Sequence, residues 1–111
     1  MARAQHFVGL DIGSGMIRVA VSEKKENNLL ALVGVGESPA DGVRKGAIVD
    51  PSATARSIQK ALGDLKKNFG VVIDHATISL CEPRMTTYVA RGTVSVSRAD
   101  GEVAREDVTR A

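Results

Sequence analysis

The chain has little cysteine and few aromatic side chains, and each shortage excludes a class of proteins. Its single cysteine, Cys81, cannot form an internal disulfide and is typical of a reducing compartment. One tyrosine, two phenylalanines and no tryptophan leave almost no surface on which nucleic-acid bases could stack. The 15 basic and 13 acidic residues give a net charge of only +2, too small to attract a polyanion strongly. We therefore expect no nucleic-acid partner.

Long apolar runs are also missing from the sequence. None approaches the roughly 18 residues that a membrane-spanning helix needs. The residues before His6 lack the apolar stretch of a secretion signal. We expect a cytoplasmic protein, and a length of 111 residues suits one small domain.

A polar turn with two glycines lies between two apolar runs near the start of the chain. The runs Phe7–Leu10 and Ile17–Val21 flank Asp11-Ile12-Gly13-Ser14-Gly15-Met16, which predicts strands over about residues 6–12 and 16–23 joined as a β-hairpin. The turn has neither the Gly-Lys pair of a Walker A loop nor the helix that follows a Rossmann loop. A plain hairpin turn is the simplest alternative, but a carboxylate at an apolar strand end needs a partner.

The residue types in this turn suit a site for phosphate and magnesium. Gly13 and Gly15 allow a positive φ and a close backbone approach, so successive N–H groups can point at one anion. Ser14 adds a hydroxyl donor, and Arg18 supplies a fixed positive charge. The carboxylate of Asp11 can hold a hydrated divalent cation.

Apolar spacing predicts the elements that follow this hairpin. The run Leu29–Gly36 is nearly continuous and predicts a third strand buried on both faces, before a loop over Glu37–Val49. A helix is predicted to begin at Asp50-Pro51, with the aspartate as N-cap, and to end at Gly70. Residues 76–80 predict a fourth strand. The buried stripe of the helix is predicted to consist of Ala55, Ile58, Leu62, Leu65 and Phe69.

The sequence changes in character after Glu82, and we place a domain boundary there. Met85–Ala90 and Gly92–Ser97 alternate apolar with polar or small residues, which predicts two half-exposed strands. Val103–Ala111 predicts the start of a helix, with an acid three residues beyond the cap position. Ala104 at that cap position cannot accept the usual side-chain hydrogen bond.

The glycine turn resembles the first phosphate-binding motif of the superfamily of actin, sugar kinases and heat-shock chaperone ATPases. Asp11-x-Gly13-Ser14-Gly15-Met16 is similar to the actin hairpin, with Arg18 where actin has a lysine. The resemblance implies that Asp11 coordinates Mg²⁺ through water, and that Gly13, Ser14, Gly15 and Arg18 hold the terminal phosphates of ATP. It also implies an α/β fold of ribonuclease H-like type, in which an actin-type half-domain opens with the order β-β-β-α-β.

Two further stretches narrow the resemblance to the FtsA family of bacterial actin-like cell-division proteins. These are Gly42-Val43-Arg44-Lys45-Gly46-Ala47-Ile48-Val49-Asp50 and, near the end, Arg91–Val96 with Glu106-Asp107-Val108. The resemblance covers essentially the whole chain as an N-terminal portion. It implies that residues 1–82 form the first part of an actin-like ATPase subdomain. Residues 83–111 would then begin a small inserted α+β subdomain of the SHS2-like kind.

The family resemblance also implies partners and a location. Members bind ATP with little or slow hydrolysis, polymerise, and hold FtsZ filaments at the cytoplasmic face of the inner membrane through a C-terminal amphipathic helix. Their inserted subdomain serves self-association and contacts with later division proteins. The second phosphate hairpin, the adenosine pocket and the membrane helix are not in these 111 residues. We therefore expect these residues alone neither to bind ATP tightly nor to act as an enzyme.

Two alternatives of the same superfamily remain, a pilus-assembly scaffold and a sugar kinase. A kinase would need a carboxylate base, and none can be assigned in this sequence. The stretch Gly42–Asp50 favours the division protein over both. Other residues receive structural interpretations: packing for Cys81, a turn for Asp74, no zinc site for His6 and His75, and solvated surface for the basic pairs at 24–25, 44–45 and 66–67.

Overall fold

A mixed sheet with one long helix on it forms the first part of the molecule. The structure is a computed structural model that describes residues 5–79, 82 and 84–111. Its elements are β1 (His6–Ile12), β2 (Met16–Lys24), β3 (Leu30–Pro39), β4 (Val43–Arg44), β5 (Ala47–Ile48), α1 (Pro51–Phe69), β6 (Thr77–Ser79) and α2 (Arg105–Arg110). The bounds of β1 and β2 confirm the predicted hairpin within one residue.

The four-stranded sheet has the order β3-β2-β1-β6. β1 and β2 are antiparallel, with Asp11 opposite Arg18, and β2 and β3 are also antiparallel. β6 returns beside β1 in the parallel direction, so that Ser79 lies opposite Asp11. A parallel return needs a crossover connection, and α1 supplies it. The expected α/β class is confirmed, as a mixed α/β architecture.

The core lies between α1 and one face of the sheet. Side chains alternate along β1 and β2, so every second residue faces the helix. The buried apolar residues that form this core are Val8, Leu10, Ile17, Val19, Val21, Ala61 and Leu65. The opposite face of the sheet carries Asp11 and Arg18, which are exposed.

Both predicted ends of α1 are confirmed. Asp50 is the N-cap, and its Oδ1 accepts a hydrogen bond of 3.0 Å from the backbone N–H of Ala53. Pro51 occupies the first helical position, where its missing N–H costs nothing. Gly70 ends the helix in the left-handed conformation with φ 69°, and its N–H donates to the carbonyl of Lys66 at 2.8 Å.

The predicted buried stripe of α1 is wrong in part. Ala55 is exposed and Phe69 is 51% exposed, while Leu65 is fully buried as predicted. The buried residues of the helix are Ala53, Thr54, Ser57, Ala61 and Leu65, with Ile58 and Leu62 half-buried. The small side chains face the sheet because the helix backbone comes very close to β3. A Cβ atom added at Gly36 would lie 2.8 Å from the backbone nitrogen of Leu65 and nearer still to the carbonyl oxygen of Ala61.

The prediction that the third strand is buried on both faces is also wrong. Leu30 and Leu32 are 60% and 66% exposed, because β3 is an edge strand and α1 covers only one of its faces. The strand runs on to Pro39, three residues beyond the predicted end at Gly36. The predicted loop Glu37–Val49 therefore contains the end of β3 and the small hairpin of β4 and β5.

No strand forms within residues 84–104, so the two half-exposed strands predicted there are wrong. Tyr88 and Val89 are 86% and 103% exposed. Alternation marks one face of a strand, but a strand also needs a hydrogen-bonded neighbour, and none lies beside these residues in the described part of the chain. Two predictions, the end of the fourth strand at residue 80 and the packing of Cys81, lie outside the described residues.

The second helix is held by its own aspartate. α2 has Ala104 as N-cap without a side-chain cap bond, as predicted, and Asp107 Oδ2 accepts from the N–H of Ala104 at 2.9 Å. Asp107 Oδ1 accepts from Ser97 Oγ at 2.9 Å and from Arg110 Nη2 at 2.5 Å. These donors, first among them the Ala104 N–H, hold the pKa of the 2% exposed Asp107 carboxyl below its usual range.

Alanine substitutions at two glycines test the close packing of α1 against β3. We expect Gly36→Ala to lower the free energy of unfolding by about 1–3 kcal/mol, because the new methyl group meets backbone that must move. Gly63→Ala is the matched control: nothing lies within 4 Å of its Cβ position, and alanine favours the helix by about 0.5–1 kcal/mol. Urea unfolding of the two variants and the parent measures both changes. Equal stability of all three would contradict the close approach.

A second prediction concerns the Asp107 contacts. Asp107→Asn should speed hydrogen exchange at the amides of Ser97 and Ala104, because the carboxylate that accepts from both is gone. Since the pKa of Asp107 is lowered in the folded chain, its contribution to stability is present above the ordinary value of 3.8 and is lost as pH falls through the lower folded value. Glu106→Gln, on the same helix, is the control. Unchanged protection in Asp107→Asn would refute the role of the carboxylate.

Candidate functional site

The turn between β1 and β2 is closed by its own backbone. The N–H of Gly13 donates to the carbonyl of Met16 at 3.1 Å. A Cβ atom at Gly13 would lie 2.8 Å from that same oxygen, so only glycine fits there without a shift. Neither Gly13 nor Gly15 has a positive φ, so the expectation of left-handed backbone at the tip is not met. Gly13 is needed because the carbonyl oxygen of Met16 lies close to where a Cβ atom would be, whereas nothing lies within 4 Å of the Cβ position of Gly15.

Two hydrogen bonds from outside the hairpin hold its tip. The N–H of Gly46 donates to Ser14 Oγ at 3.0 Å, and the N–H of Ala40 donates to the carbonyl of Gly15 at 3.0 Å. Both donors come from the segment between β3 and α1. Because the Ser14 oxygen accepts in this contact, its hydroxyl hydrogen remains free to donate to another group.

Asp11 and Arg18 lie side by side on the open face of the sheet, next to the tip. They are paired across the β1–β2 ladder, and Glu37 continues the row on β3. Arg18 Nε donates to Glu37 Oε1 at 2.9 Å, with the side chains 54% and 46% exposed. Such an exposed pair is worth only about 0–1 kcal/mol, so it does not prevent Arg18 from meeting an anion.

The five predicted site residues therefore share one hairpin, in two groups. Gly13, Ser14 and Gly15 form the tip, and Asp11 and Arg18 face the same side of the strands just below it. A shallow hollow on that side is lined by both charged residues and by Gly9, Leu10, Ala20, Thr77, Ile78 and Ser79. Within the described residues no group of three or more His, Cys, Asp or Glu side chains could hold a metal ion. Asp11 thus offers one carboxylate, which suits a cation that keeps much of its water.

Sequence reasoning missed the hairpin of β4 and β5 at this site. Arg44 and Lys45 are exposed, in agreement with the surface interpretation, but the neighbouring Gly46 contacts Ser14. Lys45 and Gly46 form the turn with φ values of 50° and 81°. Two consecutive positive φ values are typical of the type I′ turn of a two-residue hairpin, for which a glycine after a polar residue is a known signal. That signal was present between Val43 and Ile48.

Comparison with known proteins gives a consistent set of relatives. The cell division protein FtsA of Enterococcus faecalis is 32% identical over 108 residues, which are 97% of this chain and 24% of that protein. FtsA of Bacillus subtilis is 34% identical over 104 residues, 94% of this chain and 23% of that protein. FtsA of Escherichia coli is 27% identical over 101 residues, 91% of this chain and 24% of that protein.

These relatives are bacterial cell-division proteins, and this chain is similar to them over nearly its whole length. The match is consistent with a fragment of FtsA, since the chain spans about a quarter of the length of the curated relatives that it matches. No protein-family model matches it. Among solved structures, diol dehydratase-reactivating factor in nucleotide-free form is similar to this chain at 24% identity and a TM-score of 0.45. The match covers 60% of this chain and 10% of that one. No helix in the described ranges is long and apolar enough to cross a membrane.

Proposed function

We propose that this chain is part of an ATP-binding, actin-like protein of bacterial cell division. The observation that carries the proposal is the placement of Asp11, Ser14 and Arg18 around one hairpin tip, in a chain that matches FtsA proteins over nearly all its residues. A carboxylate, a free hydroxyl hydrogen and a guanidinium are the groups that a magnesium-bound polyphosphate requires.

Each of the five predicted site residues has its own role in this proposed site. Asp11 holds Mg²⁺ through water molecules, which suits a single exposed carboxylate. The backbone N–H of Gly15 and the hydroxyl of Ser14 hold the terminal phosphates, and Gly13, whose own N–H donates to the carbonyl of Met16, allows the tight turn that brings these donors together. Arg18 donates to Glu37 through Nε, so its terminal nitrogens remain available for a phosphate oxygen.

The sheet topology supports a ribonuclease H-like, actin-type half-domain for residues 1–82. The strands of the four-stranded sheet and α1 follow the order β-β-β-α-β expected of this half-domain, and the small β4–β5 hairpin is added between β3 and α1. Residues 83–111 are the beginning of an inserted subdomain. Tyr88 and Val89 lie almost fully exposed there.

The whole protein would polymerise and hold FtsZ filaments at the cytoplasmic face of the inner membrane during septum formation. Contacts with later division proteins would run through the inserted subdomain, and membrane attachment through a C-terminal helix. ATP hydrolysis would be slow or absent. A pilus scaffold or a sugar kinase is less favoured, because the relatives described above are FtsA proteins.

The nucleotide site is tested with the full-length protein by titration with ATP and Mg²⁺. We expect Asp11→Ala to weaken binding of magnesium-ATP by about tenfold or more, because the hydrated cation loses its carboxylate. Glu26→Ala removes an exposed carboxylate in the turn after β2 and is the control, with no expected change. Equal affinity of Asp11→Ala and the parent would contradict the site.

The cell-division role is tested by recruitment of FtsZ filaments to lipid vesicles. The full-length protein should bring FtsZ to vesicles in the presence of magnesium-ATP, and vesicles without the protein should remain bare. A sedimentation assay with labelled FtsZ measures the fraction bound. If FtsZ stays in the supernatant while the protein itself binds both vesicles and nucleotide, the tethering role is wrong and the nucleotide site still stands.

A further inference from the structure

We infer that the β4–β5 hairpin forms a second wall of the phosphate site, in which Lys45 binds the terminal phosphates and Gly46 positions the hydroxyl of Ser14. This inference rests on the proposed ATP site and extends it to residues that follow β3. It starts from the contact between the two hairpin tips, where the N–H of Gly46 donates to Ser14 Oγ at 3.0 Å.

That contact orients the Ser14 hydroxyl. A serine oxygen has one hydrogen to donate and two lone pairs to accept with. Because one lone pair faces the N–H of Gly46, the hydroxyl hydrogen cannot lie along that line, and fewer orientations remain open to it. An anion at the tip then meets a donor that is already directed, which reduces the entropy lost on binding.

The β4–β5 hairpin is fixed at its base as well as at its tip. The carbonyl of Gly42 accepts from the N–H groups of Val49 and Asp50 at 2.8 and 3.1 Å. Gly42 has φ 80°, and a Cβ atom there would lie 2.8 Å from Thr54 Oγ1 and 3.0 Å from Ala53 Cβ. The hairpin therefore spans from the first turn of α1 to Ser14, and its turn residues keep their place beside the glycine tip.

The charges near the tip leave a need for another cation. On the row across the open face Asp11 and Glu37 are acidic, and Arg18 shares its charge with Glu37. The net charge of these three side chains is therefore −1, and a Mg²⁺ ion at Asp11 would change it to only +1, which leaves most of the negative charge of a polyphosphate unmatched. Lys45 directly precedes Gly46, is exposed, and forms no salt bridge with any residue in the described part of the chain. Its long, flexible side chain can reach an anion held at Ser14.

The experiment compares magnesium-ATP with adenosine as probes of the full-length protein. Lys45→Gln removes the charge and leaves a polar side chain one atom shorter, Lys45→Arg restores the charge, and Lys67→Gln removes a lysine at the far end of α1 as control. We expect Lys45→Gln to weaken magnesium-ATP binding about tenfold or more and to leave adenosine binding unchanged. Lys45→Arg should stay within about threefold of the parent, and Lys67→Gln should equal it.

The outcomes separate this inference from the function on which it rests. If Asp11→Ala weakens magnesium-ATP binding but Lys45→Gln binds like the parent, the ATP site stands and the role of Lys45 is wrong. If Lys45→Gln loses ATP and adenosine affinity alike, the lysine supports the fold and does not contact phosphate, which also overturns the inference. If the parent protein binds no magnesium-ATP, both the proposed site and its second wall fall.

Discussion

The close approach of α1 to β3 is the contact on which the rest of the described structure depends. Two glycines of β3, Gly34 and Gly36, leave room for the helix, and a Cβ atom at either would meet side chains or backbone of α1 at 3 Å or less. This spacing lets Leu65 reach the centre of the core, where it is fully buried beside Ile17. It also sets the position of α1 over the sheet, and the segment between β3 and α1 forms hydrogen bonds with the helix in that position.

Polar side chains in the first two turns of α1 contact the segment that leads from β3 to the helix and that reaches the glycine tip. Ser57 Oγ accepts from the N–H of Asp41 at 3.0 Å, and Thr54 Oγ1 donates to the carbonyl of Asp50 at 2.9 Å. These two side chains are buried on the helix face, where an apolar stripe would usually lie. Ser57 gives a partner to the N–H of Asp41 in the segment between β3 and α1, and Thr54 adds a second hydrogen bond to the Asp50 carbonyl, which also accepts from the N–H of Thr54. Their hydrogen bonds are therefore part of the support for the hairpin that reaches Ser14.

Features that depend on near neighbours in the sequence could be predicted, and features that depend on contacts across space could not. The Asp50 cap, the Gly70 terminator and the β1–β2 hairpin follow from local chemistry, and the structure confirms them. The exposure of Leu32 could not be foreseen, because a continuous apolar run does not reveal that its strand lies at an edge. The contact of Gly46 with Ser14 joins residues 32 positions apart and leaves no periodic signal. The five predicted site residues were proposed from a local pattern, and the structure places all five in one hairpin.

The described residues determine the geometry of the proposed site more than its affinity for a ligand. Asp11 and Arg18 stand on an open face, where water screens their interaction with a ligand and keeps each charge pair weak. The glycine tip, in contrast, is held by two hydrogen bonds from the following segment. Tight binding of a polyphosphate then requires other parts of the protein to cover this face and exclude water, and the FtsA relatives are about four times as long as this chain. The described residues therefore place the donors of the proposed site, while the exposure of Asp11 and Arg18 keeps their interactions with a ligand weak.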